Sequence, residues 1–340
     1  MKSFSLSVIT KLLFAVLVLM TTTSMAFGAD PGVSRPDREA DDVRRPLPGD
    51  QKPGSILVYN IYASSAADPG KQDTDIALTN INASQPAFAH IFFVADGCST
   101  ADAFICLTPN QTVSFLASSV DPGIKGYIMV IATDDKGCPI SFNYLIGSEY
   151  VKFDTGHAAN LAAESYAALY NGVLPGCTNT STEVRLSLDG VRYNAAPRVL
   201  AFDKIPSPAD GNSTMLILNS LEGNLAIGMT PIRAFNGTLY DDVENPFSFS
   251  ATGGCQFRAV MGAGTNSFPR TNPPFAQIIP AGRSGWMKLM TVEERTISGA
   301  VINFNPNAAT QKGSFNGGHN LAHLRYAGGE IPIPVFPPMC

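Results

Sequence analysis

From Ser55 onward the chain is a succession of short apolar runs, each closed by Gly, Pro, Asn or Asp. A first group comprises SILVYNIY (55–62), TDIALTNI (74–81), AFAHIFFV (87–94), QTVSFLAS (111–118), GYIMVIA (126–132) and PISFNYLI (139–146). A second comprises RVLAF (198–202), STMLILNS (213–220), TPIRAFN (230–236), FSFS (247–250), CQFRAVM (255–261), FAQIIP (275–280), GWMKLM (285–290) and GAVINFN (299–305). β-Branched and aromatic residues are frequent in these runs. Within each group no intervening segment has the length and 3.6 periodicity of a crossover helix, so the strands are expected to pair antiparallel and bury one face each in sandwiches. One stretch breaks the pattern. Residues 157–171 (HAANLAAESYAALYN) lack Gly and Pro, are rich in Ala and Leu, and place Leu161, Ala162, Ser165, Ala168 and Leu169 along one side, with Gly172 as a stop. This predicts a helix of about four turns that connects two domains.

The two groups share an order of small features. Ile76–Asn80 has a counterpart in Met215–Asn219, and Pro109 before one strand has Pro280 before another. Gly126 and Gly299 each lead an apolar run, Ser141–Asn143 matches Ser314–Asn316, and Gly156-His157 matches Gly318-His319. Their common order argues for an internal duplication in two copies. An Asn after an apolar strand, a Pro-rich turn before a Thr/Ser strand and a Gly-led apolar strand resemble tandem immunoglobulin-like modules of bacterial surface proteins. The resemblance implies architecture and no active site. The Cys…Trp…Cys core of true immunoglobulin domains is missing, the single Trp being Trp286.

The N-terminus adds a destination. Lys2 and Lys11, an apolar run of nine residues (12–20) and Ser24-Met25-Ala26 form the three parts of a secretory signal peptide, cut after Ala26. The run is shorter than the roughly 20 residues a spanning helix needs, and no later segment reaches that length. Residues 30–54 hold eleven charged residues and five prolines, the composition of a flexible tether. The expected organisation is therefore 1–26 signal peptide, 27–54 charged linker, 55–155 first sandwich, 156–180 helical connector and 181–340 second sandwich with a Pro-rich tail. Cys98, Cys106, Cys138, Cys177, Cys255 and Cys340 are even in number, and an exported chain would oxidise them. Six cysteines allow 15 connectivities; Cys98–Cys106 is the easiest pair and Cys138–Cys177 the second choice. No CxxC offers a zinc site.

A net charge of −5 with no basic block leaves out nucleic acid as a partner. The chain has no GxSxG elbow, and its four histidines are His90, His157, His319 and His323. The last two are spaced i, i+4 without the Glu of HExxH, and His157 and His319 hold matching repeat positions read as loop or helix caps. Candidate sites are modest. Asp241, Asp242 and Glu244 are the best carboxylates for a Ca²⁺, weighed against a solvated turn with no cofactor at all. Tyr166 and Tyr170, at i, i+4 on the expected helix, and Trp286 are the aromatics able to stack on sugar. Five Asn-x-Ser/Thr sequons (Asn82, Asn110, Asn179, Asn212, Asn236) mark glycan sites only if the host is eukaryotic; the overall style is bacterial. The reading that results is a secreted or periplasmic, non-enzymatic structural or adhesive module, its partner a protein, envelope polysaccharide or another copy of itself. A polysaccharide-binding module comes second and a hydrolase with an unrecognised site third.

Overall fold

The structure, a computed structural model, describes residues 47–50, 52–262, 267–293, 295–310 and 315–339. The signal peptide, most of the expected linker and Cys340 lie outside the described residues. The chain folds into antiparallel sheets. Its first nine strands are β1 (Ile56–Ala63), β2 (Asp73–Asn80), β3 (Ala87–Ala95), β4 (Thr100–Leu107), β5 (Thr112–Leu116), β6 (Lys125–Thr133), β7 (Leu145–Lys152), β8 (Ala158–Ala162) and β9 (Glu164–Tyr166). They form a five-stranded sheet, β4-β3-β6-β1-β9, facing a four-stranded one, β5-β2-β7-β8. Leu57, Tyr59, Ile76, Leu78, Ile91, Phe93, Ile128 and Val130 fill the space between them.

After β10 (Glu183–Ser187) come β11 (Ala196–Pro206), β12 (Ser213–Ser220), the short pair β13 (Gly223–Asn224) and β14 (Gly228–Met229), then β15 (Arg233–Tyr240), β16 (Pro246–Gly253) and β17 (Gln256–Val260). The chain ends with β18 (Ser284–Thr291), β19 (Ile297–Phe304), β20 (Gly317–Asn320), β21 (Ala322–Ala327) and β22 (Glu330–Pro334). The second sandwich pairs a five-stranded sheet, β16-β15-β18-β11-β21, with a four-stranded one, β17-β12-β19-β20. Strand for strand this is the order of the first sandwich. Bulges fall at the same place, between Tyr59 and Tyr62 in β1 and between Phe202 and Ile205 in β11. The registers align Gly126 with Gly285 and Gly147 with Gly299.

Four sequence expectations are corrected. The expected strand PISFNYLI (139–146) is a pair of isolated bridges at Pro139 and Ile140 and then a turn, with β7 beginning only at Leu145. Residues 157–171 carry β8 and β9 in place of a helix: Ala159, Leu161 and Ala163 are buried while Asn160 is exposed, a period of two that tertiary packing imposes over the helix propensity of Ala and Leu. FAQIIP opens with a single helical turn, Phe275–Ile278, in place of a strand. The Pro-rich tail opens with strand β22 (EIPIP), paired with β10. Register also revises the repeat alignment. The counterpart of β6 is β18 rather than β19, and His319, opposite Val301, matches Leu161, opposite Glu149, rather than His157.

β1, β3 and β6 read as nearly unbroken apolar runs because both of their faces are covered. On the outer side, Val58, Phe92, Met129 and Ile131 pack under the β10–β22 sheet and the 221–229 segment through Leu186, Leu221, Leu225, Ile331 and Ile333. The chain's last strand thus returns from the second sandwich to roof the first. A disulfide between Cys98 and Cys255 ties the two halves across 157 residues, and Cys138–Cys177 closes a local loop. The easiest sequence pairing, Cys98–Cys106, does not occur: Cys98 is taken by Cys255, while Cys106 is itself disulfide-bonded.

Candidate functional site

The expected ligand-binding aromatics are not brought together. Tyr166 is fully buried beneath the β10–β22 roof and offers no face to a ligand. Tyr170 is half-buried, its hydroxyl 2.6 Å from that of Tyr193. Trp286 lies on the other sandwich, on the outer face of β18, where its ring stacks on cross-strand Tyr240 at 4.3 Å and 7°. Asn236, hydrogen-bonded by Ser250, and Thr238 continue that face on β15.

The expected Ca²⁺ loop is held by its own protein contacts. Asp241 Oδ1 accepts the backbone N–H groups of Val243 and Asn245, and its Oδ2 accepts the Asn245 amide. These bonds, the side-chain one foremost, lower its pKa. Asp242 pairs with Arg283, and Glu244 sits at a φ of +70°. Among the described residues no group of three or more His, Cys, Asp or Glu is arranged to hold a metal.

The histidines serve four different local structures. His90 is buried between Phe92 and Phe104, with Nε2 2.9 Å from Asp102; burial lowers its pKa against the pull of that carboxylate. His157 is buried between the Thr155 hydroxyl and the Ser213 carbonyl, and burial again lowers its pKa. His319 and His323 fall on β20 and β21, so the helical i, i+4 geometry does not arise.

What sequence reasoning missed is a polar cluster in the joint between the sandwiches. The β1 bulge leaves the Asn60 and Ile61 amides outside the ladder, and Glu149 takes them: its Oε1 accepts from Ile61 N at 3.2 Å. Glu149 is 1% exposed, and its Oε2 has no hydrogen-bond partner among the described residues. Burial pushes its carboxyl well above the usual range, with the charge of Glu164 adding to the effect. The Asn60 amide donates to Glu164 Oε1 (2.8 Å) and to Asn320 Oδ1 (2.9 Å), crossing from one sandwich to the other. Asn219 donates back to the Asn60 carbonyl at 2.8 Å, and Gln256 donates to Asn219 Oδ1 at 2.9 Å. His323 Nε2 lies 3.2 Å from Glu164 Oε2. The available signal was an Asn inside each apolar run, LVYNIY and LILNS; unlike an exposed polar residue, a mid-strand Asn in such a run must find partners.

Around this cluster the joint is apolar. Ile61, Ala63, Val151, Ala159 and Leu161 line the open side of the first sandwich, and Met215, Ile217, Ala300 and Ile302 on the outer face of the second sandwich's four-stranded sheet close it. Arg258 adds a cation–π contact over Phe153 at 5.6 Å. Gly318 is required where β20 meets β8, since a Cβ there would stand 2.4 Å from Val301 O and 3.0 Å from Ala159 Cβ.

No protein-family model and no curated protein matches the chain. Among solved structures, Thermotoga maritima 1070 is similar over 35% of this chain and 97% of its own, at 10% identity and a TM-score of 0.26. So slight a likeness carries no argument.

Proposed function

We propose that the chain is an exported, non-enzymatic β-sandwich protein, a structural or adhesive module of the cell surface, periplasm or extracellular matrix. The observation that carries this reading is the joint: two sandwiches fastened into one body by a long-range disulfide, a shared apolar seam and a buried hydrogen-bond network. A scaffold must resist relative motion of its domains, whereas many enzymes use such motion to open a cleft. The common strand order supports descent of both halves from one immunoglobulin-like module by duplication. Disulfides fit an oxidising compartment, and among the described residues no helix is long and apolar enough to cross a membrane. The test is fractionation of producing cells followed by retention of the purified oxidised chain on isolated envelopes. Export and retention are expected; a cytosolic location, or turnover of ester, peptide or glycoside substrates, would overturn the reading.

The stacked Trp286–Tyr240 pair favours a second reading, a polysaccharide-binding face. It expects binding to an envelope or extracellular polysaccharide that Trp286→Ala abolishes.

A further inference from the structure

The joint inside the chain has two sides, and each side has an unused counterpart. The ladder registers place Lys204, Pro206, Asn303, Gly317 and His319 of the second sandwich where the first has Ile61, Ala63, Val151, Ala159 and Leu161. In the first sandwich those residues are sealed by its neighbour. In the second, the same five residues line a cavity of about 210 Å³, with Phe202 and Phe315 among its other walls. The opposite side repeats as well. Met215, Ile217, Ala300 and Ile302, which do the sealing, correspond to Asp75, Ala77, Ser148 and Tyr150 on the outer face of β2 and β7. Asp75 is exposed, Tyr150 is 51% exposed, and Leu116 and Ile146 on the same face are exposed too.

We infer that the occupant of the second sandwich's cavity is the β2–β7 face of a second copy of this chain, docked as the second sandwich docks on the first. Two features favour that occupant. The contact continues an interface the chain already makes within itself, so its geometry is one this fold accommodates. The free sides are also complementary in charge: where the internal joint has Ile61 and Leu161 against Met215 and Ile302, the free sides offer Lys204 and His319 against Asp75 and Tyr150. Asp203, 3.7 Å from His319, is the acidic group at the cavity rim and leaves Lys204 as the cation for Asp75. Cavities of about 150 Å³ accept benzene, so this one has room for the Tyr150 ring. Because the two patches differ, the contact is heterologous and does not close on itself; each added copy presents a new cavity and a new face, which makes an open chain of molecules. This rests on the geometry of the joint and stands or falls independently of export or adhesion.

The test uses the full oxidised chain without residues 1–26 and two surface variants, Lys204→Asp and Asp75→Lys, whose melting temperatures should equal that of the parent. The parent is expected to form a ladder of species in native mass spectrometry and light scattering. Each variant alone should associate at least about tenfold more weakly. Their equimolar mixture should regain the ladder of species, since the unchanged face of Lys204→Asp fits the unchanged cavity of Asp75→Lys and the two reversed charges match each other in turn. A parent that stays monomeric to about 1 mM, a closed dimer, association indifferent to both variants, or a mixture that remains monomeric would each overturn the proposal. Assembly that appears only on adding an envelope polysaccharide would overturn it as well.

Discussion

Glu149→Gln isolates the most unusual group in the joint. The carboxyl is buried with one oxygen on the β1 bulge and the other unpartnered, so its pKa is raised above the value of about 4.3 it has in the unfolded chain. The sign follows from proton binding. Below the unfolded value both states hold the proton and the full contribution is present. As pH rises, the unfolded chain releases its proton first, and stability is lost until the native carboxyl ionises in turn. Each pH unit inside that window costs about 1.4 kcal/mol. Gln keeps the shape and the accepting oxygen but cannot titrate. His90 and His157, whose pKa values burial lowers, act in the opposite sense below about pH 6.5, and they do so equally in both proteins. The assay is guanidinium unfolding of parent and variant at pH 5, 6 and 7 without reductant. The variant should carry a constant offset and gain steadily on the parent as pH rises, the gain levelling off where the native carboxyl ionises. Parallel stability curves would refute the reasoning.

Other consequences are open to the same measurements. Replacing Cys98 and Cys255 by Ser should cost about 5 kcal/mol by loop entropy, against about 4 kcal/mol for Cys138 and Cys177, because the closed loops differ as 157 to 39 residues; unfolding free energies from guanidinium curves, with m rising as the unfolded chain loses a cross-link, check the order. Gly147→Ala should destabilise by about 2–4 kcal/mol, since the new Cβ would stand 2.0 Å from the buried Tyr59 hydroxyl, whereas Gly97→Ala, with open space around it, should stay within about 0.5 kcal/mol. Asn219→Ala should cost about 1–3 kcal/mol in thermal unfolding, because Asn60 loses the Asn219 amide and Gln256 is left with the Gly126 carbonyl and a long contact to the Asn60 carbonyl.

Much of the β architecture was legible because its signal is local. STMLILNS is strand β12 residue for residue, and AFAHIFFV and GYIMVIA lie inside β3 and β6. Cys138–Cys177 was legible for the same reason, as a nearby pair between adjacent loops. The failures share one cause, dependence on distant partners. Residues 158–166 have helix-forming composition, yet β7 and β1 hold them extended and the second sandwich covers them. Thr100–Leu107 is a polar-faced edge strand whose periodicity is too weak to predict it from the chain alone. Cys98–Cys255 joins segments that only the closed joint brings together. The candidate site was misread on the same ground: Tyr166 and Tyr170 belonged together only if the helix existed, while Asn60, Glu149, Glu164 and Asn320 converge from four different strands.

The most direct test of the account is sedimentation velocity on the oxidised chain lacking residues 1–26 across a wide concentration range. A rigid two-sandwich module with a free face and a free cavity should give a weight-average sedimentation coefficient that climbs with concentration and reaches no plateau. A single boundary at the monomer value throughout would contradict it.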